Sequence, residues 1–311
     1  MIKKSSTAFA MVMLVLFLFL SACNPPTPNE TVIPTPVQPT APPPTDQPAT
    51  QPPAPTKEVP ATEVEPTATL ELTAEAPSEP PASQQIEFMA EDGTQLMGTY
   101  YPPLSEPAPA VILMHQFGSN RTTWGTNGMA AWLQNPSVGQ DELWPATETM
   151  PSLAVFSFDF RGHGDSGGSK QGERADFLSD AKAALTTVKE LPGVDPQKII
   201  LIGASIGADA AIDVCIQGCL GALSFSPGSY LDVSYPEVVA ELGLDQKPAW
   251  CLAAEDDNFS ADTCKSAAGE SYRSIIYAQG GHGEALIKSG MDPDIGELVV
   301  EFFSLVLGGS P

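Results

Sequence analysis

From residue 110 onward, hydrophobic residues fall into short runs that are apolar almost throughout, separated by longer stretches of mixed polarity. A run of this kind is typical of a strand that is buried on both faces of a parallel sheet. Six such runs follow one another at residues 110–114, 153–158, 198–202, 220–225, 249–254 and 274–277. The pattern predicts a mostly parallel sheet at the centre of a domain.

Helical stretches lie between several of these runs, at residues 128–133, 175–190 and 206–216, and a last one closes the chain. We expect the closing helix to begin with Asp292 as its cap and Pro293 at its first position. Its apolar face comprises Ile295, Leu298, Val299, Phe302 and Val306. Strands that alternate with helices in this way indicate an α/β domain with helices on both faces of the sheet.

A different pattern precedes the first buried run. Residues 85–90 and 94–101 have the composition of two strands, and the Asp92-Gly93 pair between them is typical of a tight hairpin turn. We therefore expect an antiparallel hairpin at the start of the domain, and we place the domain at residues 85–311.

Residues 1–22 have the pattern of an export signal. Lys3 and Lys4 precede an apolar run over residues 8–20, which is shorter than the ~20 residues that a membrane-spanning helix needs. The sequence Leu-Ser-Ala-Cys that ends at Cys23 resembles the lipobox of bacterial lipoproteins. That resemblance implies a lipid anchor on Cys23, with an ordinary cleaved signal as the alternative.

Residues 23–84 differ in composition from the rest of the chain. They contain most of the 32 prolines, together with Thr, Ala, Glu and Gln, and residues 24–83 include no aromatic residue. Such a segment cannot bury enough apolar surface to offset the entropy lost on ordering. We therefore predict a disordered tether between the anchor and the domain.

The charge of the chain argues against one class of partner, and its cysteines indicate disulfides. The formal charge is −24, from 38 acidic and 14 basic residues, and the basic residues form no cluster after the signal, which argues against nucleic acid. Four cysteines remain besides Cys23, and an even number in an exported protein favours disulfides. We expect Cys215 to pair with Cys219 and Cys251 with Cys264. A four-sulfur zinc site is the alternative, but the spacing lacks the Cys-x-x-Cys pairs of structural zinc.

The sequence Gly-Ala-Ser-Ile-Gly at residues 203–207 follows one of the buried runs and opens a stretch of small residues. A strand that turns sharply into a helix holds a serine side chain clear of the backbone, and only small residues fit two positions to either side. Gly203 and Gly207 meet that requirement, so Ser205 is the candidate nucleophile. A dinucleotide-binding loop would need a glycine where Ser205 stands.

Four stretches together resemble the α/β-hydrolase fold, nearest to its small dienelactone-hydrolase-like and acyl-esterase members. They are His-Gln-Phe-Gly at 115–118, Asp-Phe-Arg-Gly-His-Gly-Asp-Ser at 159–166, the serine motif, and Gly-Gly-His-Gly at 280–283. The resemblance covers nearly the whole domain. Gln116 departs from it, because members of the family usually have glycine there. The short stretch at 228–246, where the fold usually inserts its lid, implies a small lid or none.

The resemblance implies a triad of serine, acid and histidine in that chain order. His282 is the only histidine after Ser205 and is therefore the candidate base. In related hydrolases the acid comes three residues after a small residue that ends a strand, and Ala254 in that place selects Asp257. Adjacent residues of an extended segment point in opposite directions, so Asp256, the alternative acid, is expected to face away.

Backbone N–H groups of Ile206 and Phe117 are the expected donors to the oxyanion of a tetrahedral intermediate. For His115 we expect a structural role in bracing the loop that contains Phe117, and for His163 a role in shaping the turn after the fourth strand. Trp144 lies in a long loop, where it either shapes the pocket or packs against the domain.

Together these features predict an exported, lipid-anchored serine hydrolase that cleaves carboxylic esters through an acyl-enzyme, with neither a metal nor an organic cofactor. The expected partners are a small ester substrate and, through Cys23, the membrane. A serine peptidase of the same fold and a cell-surface binding module without catalysis are the alternatives.

Overall fold

The computed structural model describes residues 79–308, so Cys23, the predicted signal at 1–22 and residues 23–78 lie outside the described part. The strands are β1 (Gln84–Met89), β2 (Gln95–Tyr101), β3 (Ala108–Met114), β4 (Ala154–Asp159), β5 (Val194–Ala204), β6 (Gly221–Phe225), β7 (Ala249–Ala254) and β8 (Tyr272–Tyr277). They form one sheet in the order β1-β2-β4-β3-β5-β6-β7-β8. β2 is antiparallel to β1 and β4, and the strands from β3 to β8 are parallel.

Helices occupy the connections that follow the parallel strands. They are α1 (Thr123–Thr126), α2 (Met129–Gln134), α3 (Arg174–Val188), α4 (Ile206–Cys215), α5 (Tyr235–Leu244), α6 (Asn258–Ser266) and α7 (Ile295–Val306), with a single 3₁₀ turn at Gly283–Leu286. The stretch expected to hold a lid contributes α5 and the loop before it, so the lid is small.

Both faces of the sheet are covered by helices. One core cluster joins the strands to α3, α4, α5 and α6, and the other joins them to α1, α2 and α7. In β3, Ile112 belongs to the first cluster and its neighbours Val111 and Leu113 to the second, and all three are fully buried. Because successive side chains of a strand point to opposite faces, a strand covered on both sides is apolar throughout. The predicted α/β architecture is confirmed.

The start of α7 differs from the prediction. The helix begins at Ile295 with Asp294 as its cap, and the Asp294 carboxylate accepts a hydrogen bond from the Glu297 N–H at 3.1 Å. Asp292 and Pro293 precede the helix, so the prediction of Asp292 as cap and Pro293 at the first position is wrong. The physical reason is that a cap must reach the N–H three residues ahead, and Asp294 does so.

Two disulfides join the cysteines as predicted, Cys215 to Cys219 and Cys251 to Cys264. The second ties β7 to α6. Because the loop between these two elements contains Asp257, this bridge restrains the segment that carries the candidate acid.

Trp144 belongs to the core. Its side chain is fully buried, stacks on Trp132 with ring centroids 5.0 Å apart, and donates a hydrogen bond from Nε1 to the Asn127 carbonyl oxygen at 2.6 Å. Of the two expectations for this residue, packing is therefore correct.

Among the helices of residues 79–308, none combines the length and the apolar character that spanning a membrane requires.

Candidate active site

Ser205 stands between the last residue of β5 and the first residue of α4. Its backbone has φ 54° and ψ −117°, and its N–H donates to the Phe225 carbonyl oxygen at 2.8 Å. A Cβ on Gly203 would overlap the backbone of Gly207, and a Cβ on Gly207 would overlap the carbonyl oxygen of Met114. The two glycines therefore permit the close approach of strand and helix that holds the serine at the tip of the turn.

The structure brings Ser205, His282 and Asp257 together in one hydrogen-bonded chain. Ser205 Oγ lies 2.8 Å from His282 Nε2, and His282 Nδ1 lies 2.7 Å from Asp257 Oδ2. Ser260 Oγ lies farther from the same Nδ1, at 3.5 Å. A neutral imidazole that donates from Nδ1 to Asp257 has Nε2 free to accept the serine proton. The arrangement can activate the hydroxyl of Ser205 as a nucleophile.

The two neighbouring aspartates point in different directions. Asp257, at the start of α6, meets His282, whereas Asp256 Oδ1 accepts from the N–H groups of Gly280 and Gly281 at 3.0 and 3.1 Å. These donors, that of Gly281 foremost, lower the pKa of Asp256. Asp256 thus supports the backbone just before His282, while Asp257 contacts the imidazole itself.

Ile206 and Phe117 line the same cavity as Ser205, and each has a backbone N–H group without an acceptor in the described part of the chain. Ile206 is the first residue of α4, where an N–H has no acceptor inside the helix. Phe117 follows β3 in the loop of residues 115–119, which we call the oxyanion loop. Within residues 79–308 neither the Ile206 N–H nor the Phe117 N–H donates to another group. Both remain available to an oxygen that develops negative charge.

Two histidines connect the oxyanion loop to the turn after β4. His115 Nε2 accepts from the Phe160 N–H at 3.0 Å, and its Nδ1 lies 2.8 Å from the Gln116 carbonyl oxygen. His163 Nε2 accepts from the Gly118 N–H at 3.1 Å. Burial lowers the pKa of His115 to about 3, so its imidazole is neutral. His115, in the oxyanion loop, therefore also supports the turn after β4, and His163, in that turn, also supports the oxyanion loop. We expected each histidine to support only its own segment.

Glu284 is a site residue that sequence reasoning missed. Its Oε1 accepts from the Gln116 N–H at 3.0 Å, and its Oε2 accepts from the hydroxyls of Ser119 at 2.8 Å and Thr123 at 2.9 Å. In return, Gln116 Oε1 accepts from the Glu284 N–H at 2.8 Å. We call this set of four hydrogen bonds the Glu284–Gln116 clamp. The clamp joins the segment after His282 to the oxyanion loop. It does so through Gln116, the residue at which members of the family usually have glycine.

A buried carboxylate, Asp209, supports the opposite wall. Asp209, in the first turn of α4, accepts from the N–H groups of Gly228, at 3.1 Å, and of Tyr230. Burial raises the pKa of Asp209 to about 7, against the lowering effect of these donors. The loop held in this way sets the Tyr230 ring edge-on to His282, with centroids 6.0 Å apart.

A cavity of about 400 Å³ opens beside Ser205. Its walls are mainly apolar and aromatic, from Phe117, Phe177, Ile206, Tyr230 and Leu231, and they also include Lys170 and Arg174. A larger cavity of about 520 Å³ is lined by none of Ser205, Asp257 and His282. Across residues 79–308, no group of three or more His, Cys, Asp or Glu side chains has an arrangement suited to a metal ion.

No family model matches the chain. The uncharacterized protein YfhR of Escherichia coli K12 is 31% identical over 144 residues, which cover 45% of this chain and 44% of that protein. The alpha/beta hydrolase domain-containing protein 17C of Xenopus tropicalis is 32% identical over 103 residues, 32% of this chain and 33% of that protein. The chain thus spans less than half the length of the curated relatives it matches.

Solved structures resemble the domain over a greater length. The α/β hydrolase GrgF of Penicillium sp. sh18 covers 73% of this chain and all of its own, with a TM-score of 0.55 and 16% identity. The Pyrococcus furiosus esterase Pf2001 covers 72% of this chain and 92% of its own, with a TM-score of 0.52 and 19% identity. Together with the strand order, these similarities establish that the chain has the α/β-hydrolase fold.

Proposed function

We propose that the protein is a serine hydrolase that cleaves carboxylic esters through an acyl-enzyme. One observation carries this proposal: Ser205, His282 and Asp257 form an unbroken hydrogen-bonded chain beside a cavity. Ile206 and Phe117 line the same cavity, and their backbone N–H groups have no acceptor within residues 79–308. A serine activated by a base and flanked by free donors is the arrangement that acyl transfer requires.

In the first half of the reaction, Ser205 Oγ attacks the ester carbonyl carbon while His282 Nε2 takes its proton. The carbonyl oxygen becomes an oxyanion, which the N–H groups of Ile206 and Phe117 bind. When the C–O bond to the alcohol breaks, His282 gives its proton to the departing oxygen. Asp257 keeps the imidazole oriented and stabilises it while it is charged.

In the second half, water takes the place of the alcohol. His282 removes a proton from the water as it attacks the acyl carbon, and returns that proton to Ser205 Oγ when the acid leaves. The proton count closes after one turnover, and no electron transfer is needed. The expectation that neither a metal nor a cofactor takes part remains a prediction.

The names of similar proteins agree with this proposal without deciding it. The structural neighbour Pf2001 is described as an esterase, and the relative from Xenopus tropicalis as a hydrolase-domain protein. A peptidase of the same fold and a non-catalytic binding module remain the alternatives.

Hydrolysis of 4-nitrophenyl acetate and butyrate by the wild type and by Ser205→Ala tests the proposal. We expect turnover by the wild type and a fall in kcat of ~10⁴-fold or more in the variant. Cleavage of a 4-nitroanilide of the same acyl group by the wild type but not by Ser205→Ala would favour a peptidase, because amides are much less reactive than 4-nitrophenyl esters. Equal rates for wild type and variant on every substrate would leave the binding module.

We also propose that the domain is exported and held at the membrane through a lipid on Cys23, a residue outside the described range. The support is the lipobox-like sequence before it and the proline-rich segment after it. Membrane fractionation should retain the wild type and release Cys23→Ala. Equal release of both proteins would contradict the anchor.

A further inference from the structure

The charges in the cavity beside Ser205 differ from those of the chain as a whole. Acidic residues outnumber basic ones by 38 to 14 in the sequence. Yet the cavity wall contains two cations, Lys170 and Arg174, and includes neither Asp nor Glu. A strongly acidic protein therefore presents a basic wall at the place where its substrate would bind.

Arg174 is held over the cavity by a backbone contact. Its Nη1 donates to the Tyr230 carbonyl oxygen at 2.9 Å, and Tyr230 is in turn held through its N–H by the buried Asp209. Only one of the five guanidinium N–H donors is used in this bond, so the others remain available to a ligand. The side chain is thus fixed at one corner and free to bind along its outer edge.

We call Lys170 and Arg174 the basic wall of the cavity. The acidic residues nearby form no strong ion pair with either of them. Asp232 lies 3.9 Å from Arg174, and both side chains are well exposed, so this pair contributes little. Asp176 contacts Arg161 instead, at 3.4 Å. Glu173 precedes α3 as an exposed residue. Lys170 makes no ion pair within residues 79–308.

We propose that the protein prefers esters that carry a second, negatively charged group, such as a carboxylate, and that Lys170 and Arg174 bind this group. The proposal rests on the ester hydrolysis proposed above and adds the substrate class. An anion in this cavity faces two exposed cations at once; each exposed pair is weak on its own, and the two together add to the binding of the anion. The apolar walls accept the carbon chain between the ester and the anion.

The test compares two esters that differ in one terminal group, 4-nitrophenyl hexanoate and the mono-4-nitrophenyl ester of adipic acid. The ratio of kcat/KM for the anionic ester to that for the neutral ester is the readout. We expect a ratio of ~10 or more for the wild type, falling several-fold in Lys170→Gln and in Arg174→Gln and to near or below 1 in the double variant. A rise in salt should lower the wild-type ratio, because ions screen exposed charges.

Lys182→Gln is the matched control. Lys182 is an exposed cation on α3 and lies outside the lining of this cavity. Its removal changes the net charge of the protein by the same amount and should leave the ratio unchanged. If Lys182→Gln lowers the ratio as much as Lys170→Gln does, the effect is one of overall charge and the proposal is wrong.

A second pair of substrates places the anion on the alcohol side, phenyl acetate and 4-acetoxybenzoate. A preference that depends on Lys170 and Arg174 in either pair supports the proposal and assigns the basic wall to the acyl or the alcohol end of the substrate. Ratios near 1 in both pairs, with the neutral esters turned over normally, would overturn it and leave the proposed hydrolase intact.

Binding to Ser205→Ala separates the two proposals further. Calorimetry should show that monomethyl adipate binds more tightly than methyl hexanoate to this variant, and that adding Lys170→Gln and Arg174→Gln abolishes the difference. Binding without a difference between the ligands would contradict the anion site. A clear difference, in a protein whose wild type hydrolyses none of the esters, would support the site and contradict the esterase.

Discussion

The turn at Ser205 and the oxyanion loop both follow central strands and both face the same cavity, but different forces hold them. The turn is shaped by close backbone contact, since Gly203 and Gly207 leave no room for a side chain between β5, α4 and β3. The oxyanion loop is held by polar side chains from distant segments, among them His163 and Glu284. We therefore expect substitutions in the turn to lower the free energy of unfolding. Substitutions among the supports of the oxyanion loop should lower kcat instead.

The largest expected effect on stability is that of Gly207→Ala. The new methyl group would overlap the carbonyl oxygen of Met114, so β3 and α4 would have to separate. We expect the free energy of unfolding to fall by ~3 kcal/mol or more, with activity lost in proportion to folded protein. Thermal unfolding measures this. Gly167→Ala, whose nearest neighbour would be a carbonyl oxygen at 3.3 Å, is the control. Equal melting temperatures for the two variants would refute the account of the turn.

The largest expected effect on rate, with little change in fold, is that of Asp257→Asn. An asparagine cannot stabilise the charged imidazole and favours the wrong tautomer of His282, so kcat should fall by up to ~10⁴-fold. Asp256→Asn is the matched control, because its side chain meets backbone N–H groups and not His282. Ester hydrolysis should be compared at equal thermal stability. If Asp256→Asn is the inactive variant, the assignment of Asp257 is wrong.

Glu284→Gln should have a smaller effect, confined to the rate. The amide cannot accept all three of the hydrogen bonds that the carboxylate accepts, so the clamp loosens and the Phe117 N–H is held less firmly. Since one lost oxyanion donor costs ~10²–10³ in kcat, a loosened one should cost ~10-fold, with KM unchanged. Thr123→Val removes one hydrogen bond of the clamp and should cost less. A lower melting temperature at unchanged kcat would make the clamp purely structural.

The difference between the two regions also explains what the sequence predicts. The fold and the turn at Ser205 depend on local patterns, namely apolar runs and glycines at fixed spacing. A single sequence is enough to recognise these patterns. The resemblance to related hydrolases selects Asp257, and alternation along an extended segment turns Asp256 the other way; the structure places Asp257 against His282.

The residues that hold the oxyanion loop in place could not be predicted from the sequence in the same way. Glu284 and Gln116 are separated by 168 positions, and an acidic residue shortly after a histidine has many possible partners. The sequence predicts the cap of α7 two residues too early, because Asp292 and Asp294 are both good caps and only the folded chain decides which one reaches an N–H. Contacts between distant segments decide these features, so one sequence does not reveal them.

Covalent labelling of Ser205 tests the central proposal most directly. A fluorophosphonate reacts with a serine only where a base and an oxyanion site activate it, so one adduct per chain should appear by intact mass, on the peptide that contains Ser205. The adduct should be absent from Ser205→Ala and should form far more slowly in His282→Ala, with both variants folded. Absence of labelling in the wild type, or labelling at another residue, would contradict the account.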